Sequence, residues 1–216
     1  MPRFRVRYCT IEFGDTDIHV RTLKNRQQFN DEEGKAEKLG ISSATWPLFG
    51  VIWDSSQVLA NHMLEYDVEG KRILEVGCGI ALTSLVLNHR HADITATDYH
   101  PEAESFLQQN VQLNNGQAIP FTRTAWENTD SDLGKFDLVI GSDFLYERNH
   151  AELLSCFINQ HTKPKCEVIM VDPGRRYHAR FSKLMVSLGY NHSQHQPKDT
   201  AYLDKPFKGQ ILNYTR

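Results

Sequence analysis

No stretch of this chain approaches the ~20 consecutive apolar residues that a membrane-spanning helix needs. The first residues, Met1-Pro-Arg-Phe-Arg-Val-Arg7, lack a hydrophobic signal core as well. Neither a membrane anchor nor secretion is therefore expected. Cysteine is scarce: Cys9, Cys78, Cys156 and Cys166 stand apart, with no C-x-x-C pair. That scatter argues against a zinc ribbon and a disulfide scaffold, and points to a reduced, cytoplasmic setting. None of the ten histidines has metal-ligand spacing with a second partner, so no metal is expected, and His100 and His150 are read as surface residues. No Ser/His/Asp or Cys/His order stands out, and there is no repeat or low-complexity tract. Positive charge is not in excess: a net charge of -3 and a pI near 6.4 give no electrostatic footprint for nucleic acid. What is left is an ordinary globular composition, 40% hydrophobic and 24% charged, in 216 residues that can bury one substantial core.

The chain is organised around Arg72 to Asp98. Ile73, Leu74 and Val76 predict a buried strand, Gly77 and Gly79 a tight turn, Ile80 to His89 an apolar helix, and Ile94 to Asp98 a second strand ending on an acid. This order is that of a nucleotide-binding βαβ unit, in which glycines let the backbone approach a ligand and the terminal acid accepts hydrogen bonds from ribose hydroxyls. A dinucleotide cradle wants a third glycine, and Leu82 occupies that place. Glu75, two residues before the first glycine, would repel a pyrophosphate and suits a positively charged ligand without phosphate. S-adenosylmethionine has that chemistry. With Glu75, Gly77, Gly79 and Asp98 in register, the segment resembles the E-x-G-x-G-x-G motif of the seven-strand S-adenosylmethionine-dependent methyltransferases, with Ala81 in place of the last glycine. The plainer alternative is an ordinary strand-turn-helix.

Before this unit, Phe4 to Phe13 and Asp17 to Leu23 alternate across Gly14-Asp15 and predict a β-hairpin, read as an accessory sheet at the surface. Asn30 to Lys38 reads as a charged, solvated connector. A helix is expected from about Ser55 to Glu65, with Asp54 as its cap. Gly50-Val-Ile-Trp53 resembles the family's Gly-x-x-Trp element, which implies that Trp53 touches the cofactor; packing of Trp46 and Trp53 onto the sheet is the alternative. After Asp98, a helix from Pro101 to Asn114 ends in a family-like N-x-x-x-N, and strands follow at Ile119 to Thr124 and Phe136 to Gly141. Trp126 stands where the resemblance places a residue beside adenine. A helix at His150 to Gln160, a strand at Glu167 to Asp172, a helix at Tyr177 to Leu188, and strands at Asn191 to Gln196 and Gly209 to Tyr214 complete the pattern.

Ligands of open α/β sheets bind beyond the carboxyl ends of the strands. Here those ends carry Glu75 to Gly79, Asp98, Trp126, Ser142-Asp-Phe-Leu-Tyr146 and Asp172-Pro-Gly-Arg-Arg176. Asp143-Phe-Leu-Tyr146 resembles the Asp-x-x-Tyr element of the branch that methylates lysines of non-histone proteins. In that reading Asp143 holds an ammonium and Tyr146 stacks on or bonds to it; otherwise Asp143 caps a turn and Tyr146 packs. Asp172-Pro-Gly-Arg resembles a segment of the lysine methyltransferase acting on the electron-transfer flavoprotein β subunit, although a Pro-Gly turn is common and is the preferred reading.

The expected fold is α/β: a Rossmann-like, seven-stranded, mostly parallel sheet with helices on both faces, an antiparallel last strand and an N-terminal hairpin extension. Residues 1–40 form the hairpin and connector, and 41–216 the domain that the resemblance covers. The resemblance implies a methyltransferase whose partner is a protein carrying the acceptor lysine. Trp53, Glu75, Gly77, Gly79, Asp98 and Trp126 are assigned to S-adenosylmethionine, Asp143 and Tyr146 to the acceptor. A small-molecule N- or O-methyltransferase shares every cofactor residue, but this chain has only short loops for a lid. A non-catalytic binding module would have no need of a ribose-binding acid. An arginine acceptor commonly calls for a pair of glutamates, and none is evident near Tyr146.

Overall fold

Ile73, Leu74 and Val76 form the middle of the fold because apolar side chains on both faces of a strand can be buried only between two layers of helices. In the computed structural model, which describes residues 5–128, 132–143, 145, 149–175 and 177–216, the chain runs as follows. A hairpin, β1 (Val6–Phe13) and β2 (Thr16–Leu23), leads through a short helix α1 (Lys35–Lys38) and a 3-10 turn (Trp46–Gly50) to α2 (Asp54–Glu65). Then come β3 (Arg72–Val76), α3 (Leu82–His89), β4 (Asp93–Asp98), α4 (Ala103–Leu113) and β5 (Phe121–Arg123). The second half holds β6 (Phe136–Ser142), α5 (His150–His161), β7 (Thr162–Asp172), α6 (His178–Ser187), β8 (Asn191–His195) and β9 (Gln210–Thr215).

The main sheet has the order β5-β4-β3-β6-β7-β9-β8, with β9 antiparallel to both its neighbours and the other strands parallel. Side chains alternate between two cores, as a period of two requires. Ile73, Leu138, Ile140, Ile169 and Val171 face α2, α3, α4 and the hairpin, while Leu74, Val76, Val139, Val168 and Met170 face α5 and α6. Among the described residues no helix is long and apolar enough to cross a membrane.

The hairpin is a separate two-stranded sheet, as expected, but its inner face joins the main core through Phe13, Ile18, Val20 and Leu23. Its outer edge along β2 is closed by two asparagines one turn apart, Asn110 in α4 and Asn114 at its C-cap. Asn114 accepts from the His19 amide at 2.8 Å and donates to the His19 carbonyl at 2.7 Å. Asn110, fully buried, accepts from the Arg21 amide at 2.7 Å and donates to its carbonyl at 3.4 Å. Each side chain thus replaces a neighbouring strand at one residue.

Several boundaries differ from expectation. Asp31 organises the charged connector by accepting the Lys35 and Glu37 amides at 2.8 and 2.9 Å, and Ala36 is buried. Trp53, in extended conformation, takes the N-cap position of α2, so Asp54 lies inside the first turn and complements the helix dipole by charge alone. Strand β7 begins at Thr162, ahead of the predicted Glu167, because a register shift against β6 between Phe136 and Leu138 accommodates Pro164.

Candidate active site

Strand order fixes where a ligand can sit. The chain steps outward from β3 to β4 and β5, then returns to β6 on the other side of β3, so the sheet's topological switch lies between β3 and β6. The turn after β3 holds Gly77 and Gly79 at φ 59 and 57. At Gly79 a Cβ would stand 2.8 Å from the Phe49 carbonyl oxygen, so the 3-10 turn lies directly on the glycine and excludes any side chain there. Ala81, where a third glycine is the family pattern, also adopts the left-handed region at φ 61.

Glu75 is 4% exposed, beneath the turn. Its Oε2 accepts the Ser84 amide at 2.9 Å and the Ser84 hydroxyl, fastening β3 to the first turn of α3. Burial pushes its carboxyl up to about 7, against the pull of the Ser84 bonds. Asp98 closes β4 and reaches over the glycine turn: Oδ2 accepts the Gly79 amide and Oδ1 the His100 amide, both at 2.8 Å. Burial raises its carboxyl, with the His100, Gly79 and Tyr99 amides opposing. A carboxylate has about four acceptor sites, so three amides leave capacity for a further donor such as a ribose hydroxyl.

An aromatic wall stands beside Asp98. Phe49 stacks on His100 with centroids 3.8 Å apart, and Trp46 meets both edge-on. His100 is therefore a core residue, which corrects the surface reading. Its Nδ1 accepts the Glu102 amide, which puts the proton on Nε2, and burial lowers its pKa to about 3. Trp53 donates its indole N–H to Leu48 at 3.0 Å, and Arg26 lies over its ring at 4.5 Å. Trp126 is half-buried after β5, its ring 5.1 Å from His150.

On the other side of the turn, Asp143 follows β6 in the left-handed region, at φ 57, a conformation costing a non-glycine residue roughly 1–2 kcal/mol. Its amide donates to the Val171 carbonyl at 3.1 Å. Arg175 directs Nε and Nη2 at Asp143 Oδ1, both at 2.7 Å. Burial raises the Asp143 carboxyl while Arg175 pulls it back. Asp172, at the end of β7, shapes the loop that carries Arg175 by accepting the Gly174 and Arg175 amides, each at 2.8 Å. Asp98 and Asp143 thus flank the glycine turn from the strands on either side of β3, roughly 10 Å apart at ~4.8 Å per strand. Tyr146 and Arg176 lie outside the described residues.

Residues 36–187 match a family of lysine methyltransferases. The chain belongs to that family. Two curated relatives are similar. The protein N-lysine methyltransferase METTL21A of Danio rerio is 36% identical over 115 residues, covering 48% of this chain and 52% of the relative. The electron transfer flavoprotein beta subunit lysine methyltransferase of Rattus norvegicus is 30% identical over 167 residues, covering 74% and 61%. The family member described here thus spans between half and two thirds of the length of these relatives. Magnesium protoporphyrin IX methyltransferase from Synechocystis PCC 6803, solved with bound S-adenosylmethionine, has the same fold at a TM-score of 0.58 and 19% identity, covering 75% of this chain and 77% of that one.

Of the cofactor assignments, Glu75, Gly77, Gly79, Asp98 and Trp126 lie at or just after the carboxyl ends of β3, β4 and β5, Trp53 lies at the start of α2, and Asp143 follows β6. The Phe49–His100 stack, the Arg26–Trp53 contact and the Arg175–Asp143 pair were not among the predicted site contacts. Each joins residues at least 27 positions apart in sequence.

Proposed function

We propose that this chain transfers a methyl group from S-adenosylmethionine to the side-chain nitrogen of a lysine in a protein. The observation that carries this reading is the placement of Asp98 and Asp143 on opposite sides of a glycine turn at the sheet's switch point. When bound, S-adenosylmethionine supplies an electrophilic methyl group on a sulfonium. The chain's own residues fit such a ligand. Asp98 keeps acceptor capacity for a ribose, the Gly77 to Gly79 backbone permits close approach, and Glu75 places a titratable acid beneath the turn, where a cation would favour its ionised form. Trp53 and Trp126 are assigned as walls of this site.

Asp143 orients the incoming amine. Only the neutral nitrogen has a lone pair to give, so the acceptor must lose one proton and align before it can react. A carboxylate oxygen accepts an N–H bond from the amine and directs the lone pair away from itself, toward the cofactor side. Tyr146 is assigned to the same acceptor. With all four cysteines unpaired, a reducing cytoplasmic setting suits this reading.

Calorimetry with S-adenosylhomocysteine is the first test. Binding is expected, and Asp98→Ala should weaken it at least about tenfold, in line with ~1.5–3 kcal/mol for a hydrogen bond to a charged group. Asp143→Ala should leave that affinity nearly intact and lower turnover. Failure to bind at roughly millimolar ligand, equivalent to about 4 kcal/mol, would sink the proposal.

A further inference from the structure

The acceptor carboxylate already holds a cation. Asp143 has a side chain only 8% exposed, and both donors of Arg175 converge on one of its oxygens at 2.7 Å. Arg175 itself is 40% exposed, held at the rim by the Asp172-bonded loop. A second guanidinium, that of the exposed Arg26, stacks on Trp53 within electrostatic reach of the same carboxylate. Two carboxylates, Asp143 and Asp172, lie beneath, and two arginines face the solvent an acceptor must cross.

A protonated lysine approaching alone meets this arrangement twice at a disadvantage. Two like charges repel it at the mouth, and taking Asp143 from Arg175 would leave a guanidinium without its partner. A lysine with an aspartate or glutamate beside it meets neither obstacle. Its own acid is drawn to the arginines, and the two ion pairs exchange partners, Lys with Asp143 and Arg175 with the substrate acid. No charge is stranded at any stage. We infer that Arg175, assisted by Arg26, is a specificity-determining residue that selects acceptor lysines flanked by acidic side chains. The inference rests on the lysine-methyltransferase reading above and adds a substrate class to it. Discrimination comes from repelling the wrong partner as much as from holding the right one.

The test uses three sets of synthetic peptides, each with one lysine, flanked on both sides by Glu, Gln or Arg, and labelled S-adenosylmethionine as donor. For the wild-type chain kcat/KM should fall at least about tenfold from the Glu set to the Gln set, and further to the Arg set. Raising ionic strength should narrow these ratios. Arg175→Gln should bring the Glu-to-Gln ratio close to one, and Arg175→Glu should reverse the order in favour of the Arg set, which a purely structural role for Arg175 would not do. Arg26→Gln, at an exposed position, should reduce the ratio by a smaller factor and stands in if the Arg175 variants fail to fold. Equal labelling of all sets by the wild type, a preference for Arg flanks, or a ratio unchanged in the variants overturns the inference and leaves lysine methylation standing. No label in any set from a chain that binds S-adenosylhomocysteine overturns both.

Discussion

Gly79 and Ala81 share a left-handed backbone two residues apart, yet their chemistry is opposite. Adding a methyl at Gly79 drives it into the Phe49 carbonyl, a backbone atom that cannot rotate away, on top of the ordinary cost of that conformation. Gly79→Ala should therefore cost about 2–4 kcal/mol in urea unfolding. At Ala81 the terms oppose: glycine would relieve ~1–2 kcal/mol of backbone strain, but would remove a buried methyl worth ~0.8 kcal/mol and loosen the unfolded chain by a similar amount. Ala81→Gly should fall within about 1 kcal/mol of wild type, which is why this departure from the family's glycine pattern is tolerated. Glu75 makes a prediction about pH. Its folded pKa, about 7, lies above the ordinary 4.5, so the folded chain favours the protonated form. Stability from this group is full below pH 4.5 and is lost as pH rises through 7. Glu75→Gln, permanently neutral and still able to accept from Ser84, should match wild type near pH 4.5 and exceed it above pH 7 by roughly 1–3 kcal/mol in denaturant titrations.

Among elements, the contact between α4 and β2 shows what a sequence does and does not disclose. Asn110-Val-Gln-Leu-Asn114 is visible as a motif and its helix is predicted by periodicity, but nothing local says that the two amides serve residues 19 and 21, some ninety positions earlier. Removing Asn110 should leave the part-buried Arg21 N–H and C=O without that partner, at ~1–3 kcal/mol for each, whereas the exposed His19 groups held by Asn114 can turn to water at smaller cost. Asn110→Ala and Asn114→Ala should strip protection from the Arg21 and His19 amides respectively in hydrogen exchange, each variant affecting its own residue first. The glycine turn and the parallel strands were legible because their signals are local: continuous apolar runs, paired glycines and a terminal acid. Residue groupings that depend on neighbouring strands were not. His100 read as a surface histidine because the 3-10 turn that encloses it folds back from residues 46 to 50. The pairing of Arg175 with Asp143 follows from the alignment of β6 beside β7, and the short helix α1 within the charged connector is held by Asp31, which accepts two of its amides.

For the molecule as a whole, the hairpin, the 3-10 turn and helices α2 to α4 share one core with the sheet's face. A ligand at the glycine turn should therefore raise the stability of all of them together. S-adenosylhomocysteine at a hundred times its dissociation constant should contribute ~2.7 kcal/mol and raise the unfolding midpoint by about 5–10 °C in a single transition, measured by scanning calorimetry. Two separate transitions would show that the hairpin melts on its own. The sheet order has a further consequence, for synthesis. Strand β9 is made after both β7 and β8, yet it lies between them, and β8 has no other partner among the described residues. Until Gln210 to Thr215 have emerged, β7 presents a bare edge and β8 has nothing to pair with. At the ~5–20 residues per second of translation, the nascent chain spends seconds in that state, and the switch-point half of the sheet can form while the far half waits for its keystone.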